Sequence, residues 1–391
     1  MLQPELLVAL LLYMVADANR RGYRHLLDGF WDEARSLGLK LPTDEPVSAP
    51  SFCVARRKIT TALLRHMLRE LAEDSLEGLG AAQRWLGRRV YALDGTKINL
   101  QRSPDLAREF GVPESAHCPQ ALVSVLLDVC NKAPVDLQIS PFASSEREHL
   151  LALLPSLVAG DVLVVDRGYP SHEVFQELVA KGIDFLARVP GSHSFGAVDE
   201  LRESLGDDYL FHFEPPAGSP KTWTRLTLRV LRITIDGNTS YFVTSLRRND
   251  VTRAQIAQLY HLRWQAEEFF KLLKCDYIGQ DQFRSKSPAG IRQEIHALVL
   301  FLAIARAMML TAAKSAGVDY ASLSQKAAIL GLARYLTRLL LETRHQRALE
   351  HVQHLLRSAL TGREKPRPGR QAPRISYRPR LRWGATGRCG G

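Results

Sequence analysis

The chain has 391 residues, 46% of them apolar and 24% charged, an ordinary globular composition with length enough for two or three domains with real cores. The net charge of +11 is not ordinary and points to a polyanionic partner, nucleic acid ahead of a membrane surface. Cys53, Cys118, Cys130, Cys275 and Cys389 are scattered without a CxxC pair, which argues against a zinc site or a disulfide framework and fits a reducing cytoplasm.

Residues 1–85 read as a helical domain with breaks between Gly38 and Pro50. Leu6 to Val15 is apolar, but Pro4 and Glu5 precede it in place of a basic region and it is too short to span a bilayer, so a buried helix is expected in place of a signal peptide. From Phe52 to Leu71 basic and apolar residues alternate at helical spacing. That pattern suits either a small DNA-contacting domain or a positively decorated bundle.

From Val90 the texture changes. Residues 86–194 predict a mixed α/β sheet: strands at Val90–Leu93, Ala121–Val129 and Val135–Ile139, a helix at Glu146–Leu154, a doubly buried strand at Val162–Val165, a helix at Ser171–Lys181 and a strand at Phe185–Val189. Residues 195–248 predict an all-β insertion, with turns at Pro215–Pro220 and Asp236-Gly237-Asn238. Residues 249–290 hold one long helix, and 291–361 a helical region. Ala297 to Ala313 is apolar but interrupted by Arg306, and reads as a core helix, so no membrane association is expected. The tail, 362–391, is rich in arginine and proline, lacks apolar periodicity, and is expected to be disordered or to fold only on a partner.

The helix around Glu267 carries the chemistry. At 100° per residue Tyr260, Arg263, Glu267, Lys271 and Lys274 share one stripe, with Thr252 or Asp250 available as cap. A solvated face with Glu–Lys pairs is the plain alternative. Glu268 lies 100° off the stripe and is the weaker acid candidate.

Two acids upstream change the weighing. Asp94 and Asp166 each close a predicted buried strand and precede a Gly-containing turn, Asp94-Gly95-Thr96 and Asp166-Arg167-Gly168-Tyr169. A strand-end Asp often only caps the next turn. Two of them with Glu267 form a triad that repels itself without cations. Two Mg²⁺ ions (Mn²⁺ as the substitute), about 3.5–4 Å apart, would relieve it and clamp the attacking and leaving oxygens of a phosphodiester. Arg263 and Lys274 could then grip neighbouring phosphates. Asp128, Asp161 and Asp184 lack the Gly turn or the spacing and are read as surface or capping residues; the twelve histidines form no ligand pattern.

These residues resemble bacterial DDE transposases of the insertion-sequence-four family. Tyr260, Arg263, Glu267 and Lys274 match the family's Tyr-x2-Arg-x3-Glu-x6-Lys signature, and the segments at Asp94 and Asp166 match its two aspartate motifs. The likeness covers residues 1 to about 345, with Lys97 and Asn99 as departures in an otherwise less charged strand and a tail that matches loosely.

The resemblance implies a ribonuclease-H-like core with Asp94, Asp166 and Glu267 as catalytic metal ligands. It implies DNA contacts from Tyr260, Arg263, Lys274 and Arg167; Lys271, on the same stripe but outside the signature, is a further DNA-contact candidate. It further implies cut-and-paste transposition on double-stranded DNA (terminal inverted repeats and target), by a homodimer in the bacterial cytoplasm at the nucleoid. Some relatives hold a flipped base on an aromatic of the insertion. Trp223 is the insertion's only tryptophan and the candidate, against the plain reading of a half-buried strand residue. Two other functions stay open at this point: a catalytically silent DNA-binding protein of the same ancestry, and a metal-dependent nuclease that does not join.

Overall fold

The computed structural model describes residues 2–17, 22–77, 84–191, 206–235, 238–274 and 283–362. The expected tail beyond 362, the Asp236-Gly237 turn and the start of the β insertion lie outside them.

Among the described residues four α-helices precede the first strand: α1 (Pro4–Ala16), α2 (Tyr23–Ser36), α3 (Ala49–Ala55) and α4 (Thr61–Glu77). In α1 the apolar residues run all round the helix, so it can only be an interior element. Several basic side chains of the 52–71 segment face inward. Arg56 is buried and donates to Gln293 Oε1 (2.7 Å) and to the Gly290 carbonyl (3.0 Å). Arg65 and Arg69, one turn apart on α4, both bind the buried carboxylate of Asp136, at 2.6 Å each. Arg57 and Lys58 stay exposed. This segment is thus clipped to the core by three of its arginines.

Among the described residues the strands are β1 (Val90–Asn99), β2 (Gln120–Asp128), β3 (Ala133–Pro141), β4 (Val162–Val165), β5 (Asp184–Val189), β6 (Asp208–Phe213), β7 (Leu226–Ile235) and β8 (Asn238–Thr244). They form one sheet in the order β3-β2-β1-β4-β5-β8-β7-β6. β1, β2 and β3 pair antiparallel, whereas β1, β4 and β5 pair parallel. This 3-2-1-4-5 arrangement is the expected ribonuclease-H-like α/β sheet. The insertion strands do not stand apart from it: β8 pairs with β5 and carries β7 and β6 outward along the same sheet.

Helices cover both faces. Along β1, Val90, Ala92 and Ile98 face one core, and Tyr91 and Leu93 the other. The second face is closed by α6 (Glu146–Leu153) and α7 (His172–Ala180); the short α5 (Pro104–Phe110) flanks the first. The first face is closed by α8 (Arg253–Leu262), α9 (Trp264–Lys271), the N-terminal helices and the long α10 (Pro288–Ala316). α10 packs on α1, α4, β3, α11 (Gln325–Leu341) and α12 (His345–Thr361). It is long and apolar enough to cross a bilayer, yet 78% of its most apolar stretch is buried inside the protein. Arg306, the interruption in its apolar run, is buried and donates to the Tyr320 hydroxyl at 3.2 Å.

Two expectations are corrected. Asp94 does not close a strand before a turn: β1 runs unbroken to Asn99 because β2 pairs with its whole length, Gly95 opposite Ser124. And 249–274 is not one helix. The backbone tightens at Arg263, where Arg263 N bonds Tyr260 O (3.1 Å) and Ala266 N bonds Arg263 O (2.9 Å), both i→i+3, so α8 ends and α9 begins. After Lys271 residues 272–274 form a wider π-type turn. Lys274 therefore leaves the ideal stripe.

Candidate active site

The parallel ladder between β1 and β4 ends at Ala92↔Val164, with Asp94 two residues beyond on one strand and Asp166 two beyond on the other. Continuing that register places the two aspartates level on neighbouring strands, which lie about 4.8 Å apart in a sheet. The alternation that sends Ala92 toward α8 and α9 sends Asp94 the same way. From those helices Tyr260 and Glu267 come down to meet the pair. The Tyr260 hydroxyl donates to Asp166 Oδ1 at 3.0 Å, and its ring packs edge-on against Phe242 at 4.8 Å. Arg263, with 8% of its surface exposed, donates from Nη2 to Glu267 Oε1 and lies over the Tyr260 ring at 5.3 Å. α8 is set in place by a capping box, Thr252 with Gln255.

The electrostatics are those of crowded acids. Burial pushes the Asp94 carboxyl up to about 6, with Glu146 and Glu267 adding to the rise, against the Gly95 N–H and Arg263, which lower it. Burial also raises the Tyr260 hydroxyl, and its bond to Asp166 adds to this. Burial alone would lower the Arg263 guanidinium, but Tyr260, Glu267 and Asp166 around it hold it up.

Asp94 and Asp166 thus stand level on neighbouring strands, and Glu267 is near enough to raise the Asp94 carboxyl, while Glu268 is turned away to Lys271 (3.7 Å). Tyr260 and Arg263 are engaged with the acids, while Lys271, Lys274 and Arg167 are exposed. Trp223 sits on the other face, its ring stacked on buried His172 at 5.3 Å and 22°. His172 opens α7, a few residues after Asp166. Three other acids take structural roles. Asp128, buried in place of the surface position open to it, accepts from Asn131 N and Nδ2 (2.8 and 2.9 Å). Asp161 caps Val158 N (2.9 Å), and Asp184 binds Arg88 (2.6 Å).

Sequence reasoning missed Glu146. It is the first residue of α6, and its carboxylate lies against Gly95, where an added Cβ would stand 2.6 Å from Oε1. The signal for it is the Ser145–Glu148 capping box, which starts a helix directly after β3.

The profile of the transposase DDE domain matches residues 85–304, more than half of the chain. The chain belongs to the DDE transposase family. No curated protein matches. Among solved structures, a piggyBac transposase determined by cryo-EM as a synaptic complex with hairpin DNA is similar at 11% identity, over 93% of this chain and 77% of that one, with a TM-score of 0.47.

DDE transposases work with divalent metal ions, and the donor set here suits them: Asp94, Asp166 and Glu267 offer hard carboxylate oxygens. Among the described residues no three acidic, His or Cys side chains are drawn together tightly enough to hold one ion. The reason is visible in the pairings. Glu267 is engaged by Arg263 and Asp166 by Tyr260, each taking up an oxygen that an ion would use.

Proposed function

We propose that this DDE transposase belongs to the insertion-sequence-four group, binds the ends of its own element, and cleaves and rejoins DNA by metal-dependent phosphodiester chemistry. The reading is supported by the level placement of Asp94 and Asp166 on β1 and at the end of β4, with α9 bringing Glu267 near enough to Asp94 to add to the rise of its carboxyl to about 6. Structural acids in this chain are matched with donors, as Asp136 is by two arginines. A buried acid left beside other acids weakens the fold, and is explained by a function that needs its charge.

Asp94, Asp166 and Glu267 would hold two Mg²⁺ ions, or Mn²⁺, and these supply activation of the attacking oxygen and neutralisation of charge on the phosphate when bound. The chain's own residues do the rest. Tyr260 fixes the orientation of Asp166. Arg263 balances Glu267 from the protein side. Lys271, Lys274 and Arg167, exposed around the site, hold the phosphates on either side of the scissile one, where a mobile ammonium acts as a point charge. Trp223, beside the helix that follows Asp166, offers an aromatic face to a displaced base. The net charge of +11 adds non-specific affinity along the duplex. Two copies, each holding one element end, make the working unit, and a cytoplasmic site gives access to chromosomal DNA.

The test is a strand-cleavage and strand-transfer assay with the full chain, Mg²⁺ and DNA taken from the flanks of its coding region. Cleavage and joining are expected from the wild type, and neither from Asp94→Ala or Glu267→Ala. Cleavage that survives in either variant overturns the site. Tight end binding with no cleavage by the wild type makes the chain a binding protein of transposase descent, and cleavage without joining makes it a nuclease.

A further inference from the structure

Both aspartate motifs carry a glycine, and a single side chain lies against both. A Cβ at Gly95 would meet Glu146 at 2.6 Å from Oε1, 2.9 Å from Cδ and 3.0 Å from Cγ, and a Cβ at Gly168 would stand 3.5 Å from Oε2. Gly95 keeps a negative φ, so its want of a side chain answers to space and not to backbone strain. The strand alternation gives the reason. Asp94 faces α9, and its neighbour Gly95 faces α6 on the opposite side of the sheet. The missing side chain at Gly95 is a gap through which an acid on α6 reaches the edge where Asp94 and Asp166 stand.

The rest of α6 is built around the same loop. Arg147 donates from Nε to the Gly168 carbonyl at 3.0 Å, tying the start of α6 to the second aspartate motif. Burial raises the Tyr169 hydroxyl, and Glu146, by its charge and a hydrogen bond, adds to the rise together with Asp94 and Asp166, so the buried tyrosine of the second motif faces the same acid. Lys97, on the same face of β1, is the one cation acting on Glu146 and lies over the Phe142 ring at 5.5 Å. An acid at the first position of a helix is favoured by the helix dipole; that alone does not explain its approach to the glycines of both aspartate motifs.

We propose that Glu146 is a fourth carboxylate of the catalytic centre, holding the divalent cation together with Asp94 from the opposite face of the sheet. This rests on the reading of Asp94, Asp166 and Glu267 as the cation-holding acids. The role is positional: Glu146 sets where the ion sits relative to the Asp94–Asp166 edge.

The experiment titrates Mn²⁺ into the full-length, DNA-free protein, counting free ion by electron paramagnetic resonance. Glu146→Gln keeps size and packing and removes the charge; its Mn²⁺ affinity is expected to fall about tenfold or more, as it does when a supporting group of a metal site is removed. Asp94→Asn is the control for the underlying reading and is expected to fall at least as far. If Asp94→Asn weakens binding and Glu146→Gln does not, Glu146 is only the counter-ion of Lys97 and the proposal is overturned while the site stands. If Asp94→Asn binds Mn²⁺ like the wild type, the reading of the site fails and takes the proposal with it. A second measurement needs no metal. Gly95→Ala should lower the melting temperature, and Glu146→Ala in the same chain should restore most of the loss; equal melting of the single and double variants means that Glu146 does not lie over Gly95, and overturns the proposal on its geometry.

Discussion

The Arg263 guanidinium and the Glu267 carboxylate, one turn apart on either side of the junction between two helices, are bound to each other inside the site. Arg263 stands where a cation would neutralise the acid, so a metal ion held by Glu267 would have to compete with the arginine for the same oxygen. Arg263→Ala should lower the melting temperature in Mg²⁺-free buffer, the partly exposed pair contributing about 1 kcal/mol. The variant should then gain more from Mg²⁺ than the wild type does. Thermal melts over a Mg²⁺ series check this, and equal gains would dismiss the competition.

Tyr260→Phe isolates the hydrogen bond to Asp166. The ring keeps its edge-on packing against Phe242, so only the donor is lost, at about 1.5–3 kcal/mol for a bond to a charged acceptor. Strand cleavage should fall about tenfold or more with the melting temperature lowered by a few degrees at most. Full cleavage by the variant would show that Asp166 needs no positioning.

The raised Asp94 carboxyl makes stability depend on pH. Its pKa goes from 3.8 to about 6 on folding, so the folded state holds this proton more tightly. The contribution is fully present below pH 4 and is lost as pH rises through 6. Asp128 shifts the same way, pushed up to about 6 by burial, so the wild-type curve reports both. Asp94→Asn should therefore be more stable than the wild type above pH 6 without metal, the gain shrinking toward pH 4. Denaturant melts across that range decide it; a gain that does not vary with pH would refute the assignment.

Lys274 and Arg263 should separate in DNA binding. Lys274 is exposed and Arg263 is 8% exposed and engaged with Glu267. Lys274→Ala should weaken DNA binding and reduce the slope of log affinity against log salt by about 1. Arg263→Ala should leave the slope nearly unchanged. Binding titrations at several salt concentrations test both, and an equal loss of slope would place Arg263 on the phosphates.

Asp136 holds α4 to the sheet through Arg65 and Arg69, and also accepts from Ser156 in the turn that follows α6. Those bonds keep its carboxyl below the usual range although burial opposes them. Asp136→Ala leaves two arginines without their acceptor; both are partly exposed, so the cost falls below that of a fully buried pair, to about 2 kcal/mol. A large drop in denaturant midpoint is expected, and a change under 1 kcal/mol would contradict it.

The centre of the sheet was readable because β2 and β4 are buried on both faces and announce themselves as apolar runs; Val162–Val165 is predicted to the residue. The helix junction at Arg263 was not, since no Gly or Pro marks it and the tightening follows from side chains meeting Asp166 and Glu267 across 94 residues or one turn. Glu146 stayed hidden for a related reason. Its importance lies in what is missing at Gly95, and a glycine in a sequence does not say which neighbour requires it. The three inward-facing arginines at 56, 65 and 69 looked like surface charge because their partners, Gln293 and Asp136, are far along the chain.

α1 and α4 both pack on α10, whose last residue is Ala316, and α1 packs further on α11 beyond it. During synthesis the apolar surface of α1 leaves the ribosome long before that partner exists, and at about 5–20 residues per second the wait is roughly 15–60 s. For that interval the nascent chain carries an uncovered oily helix that chaperones or other nascent chains can capture. Any truncation upstream of Ala316 makes the condition permanent, so shortened products of this gene are expected to aggregate or be degraded and not to persist as folded fragments.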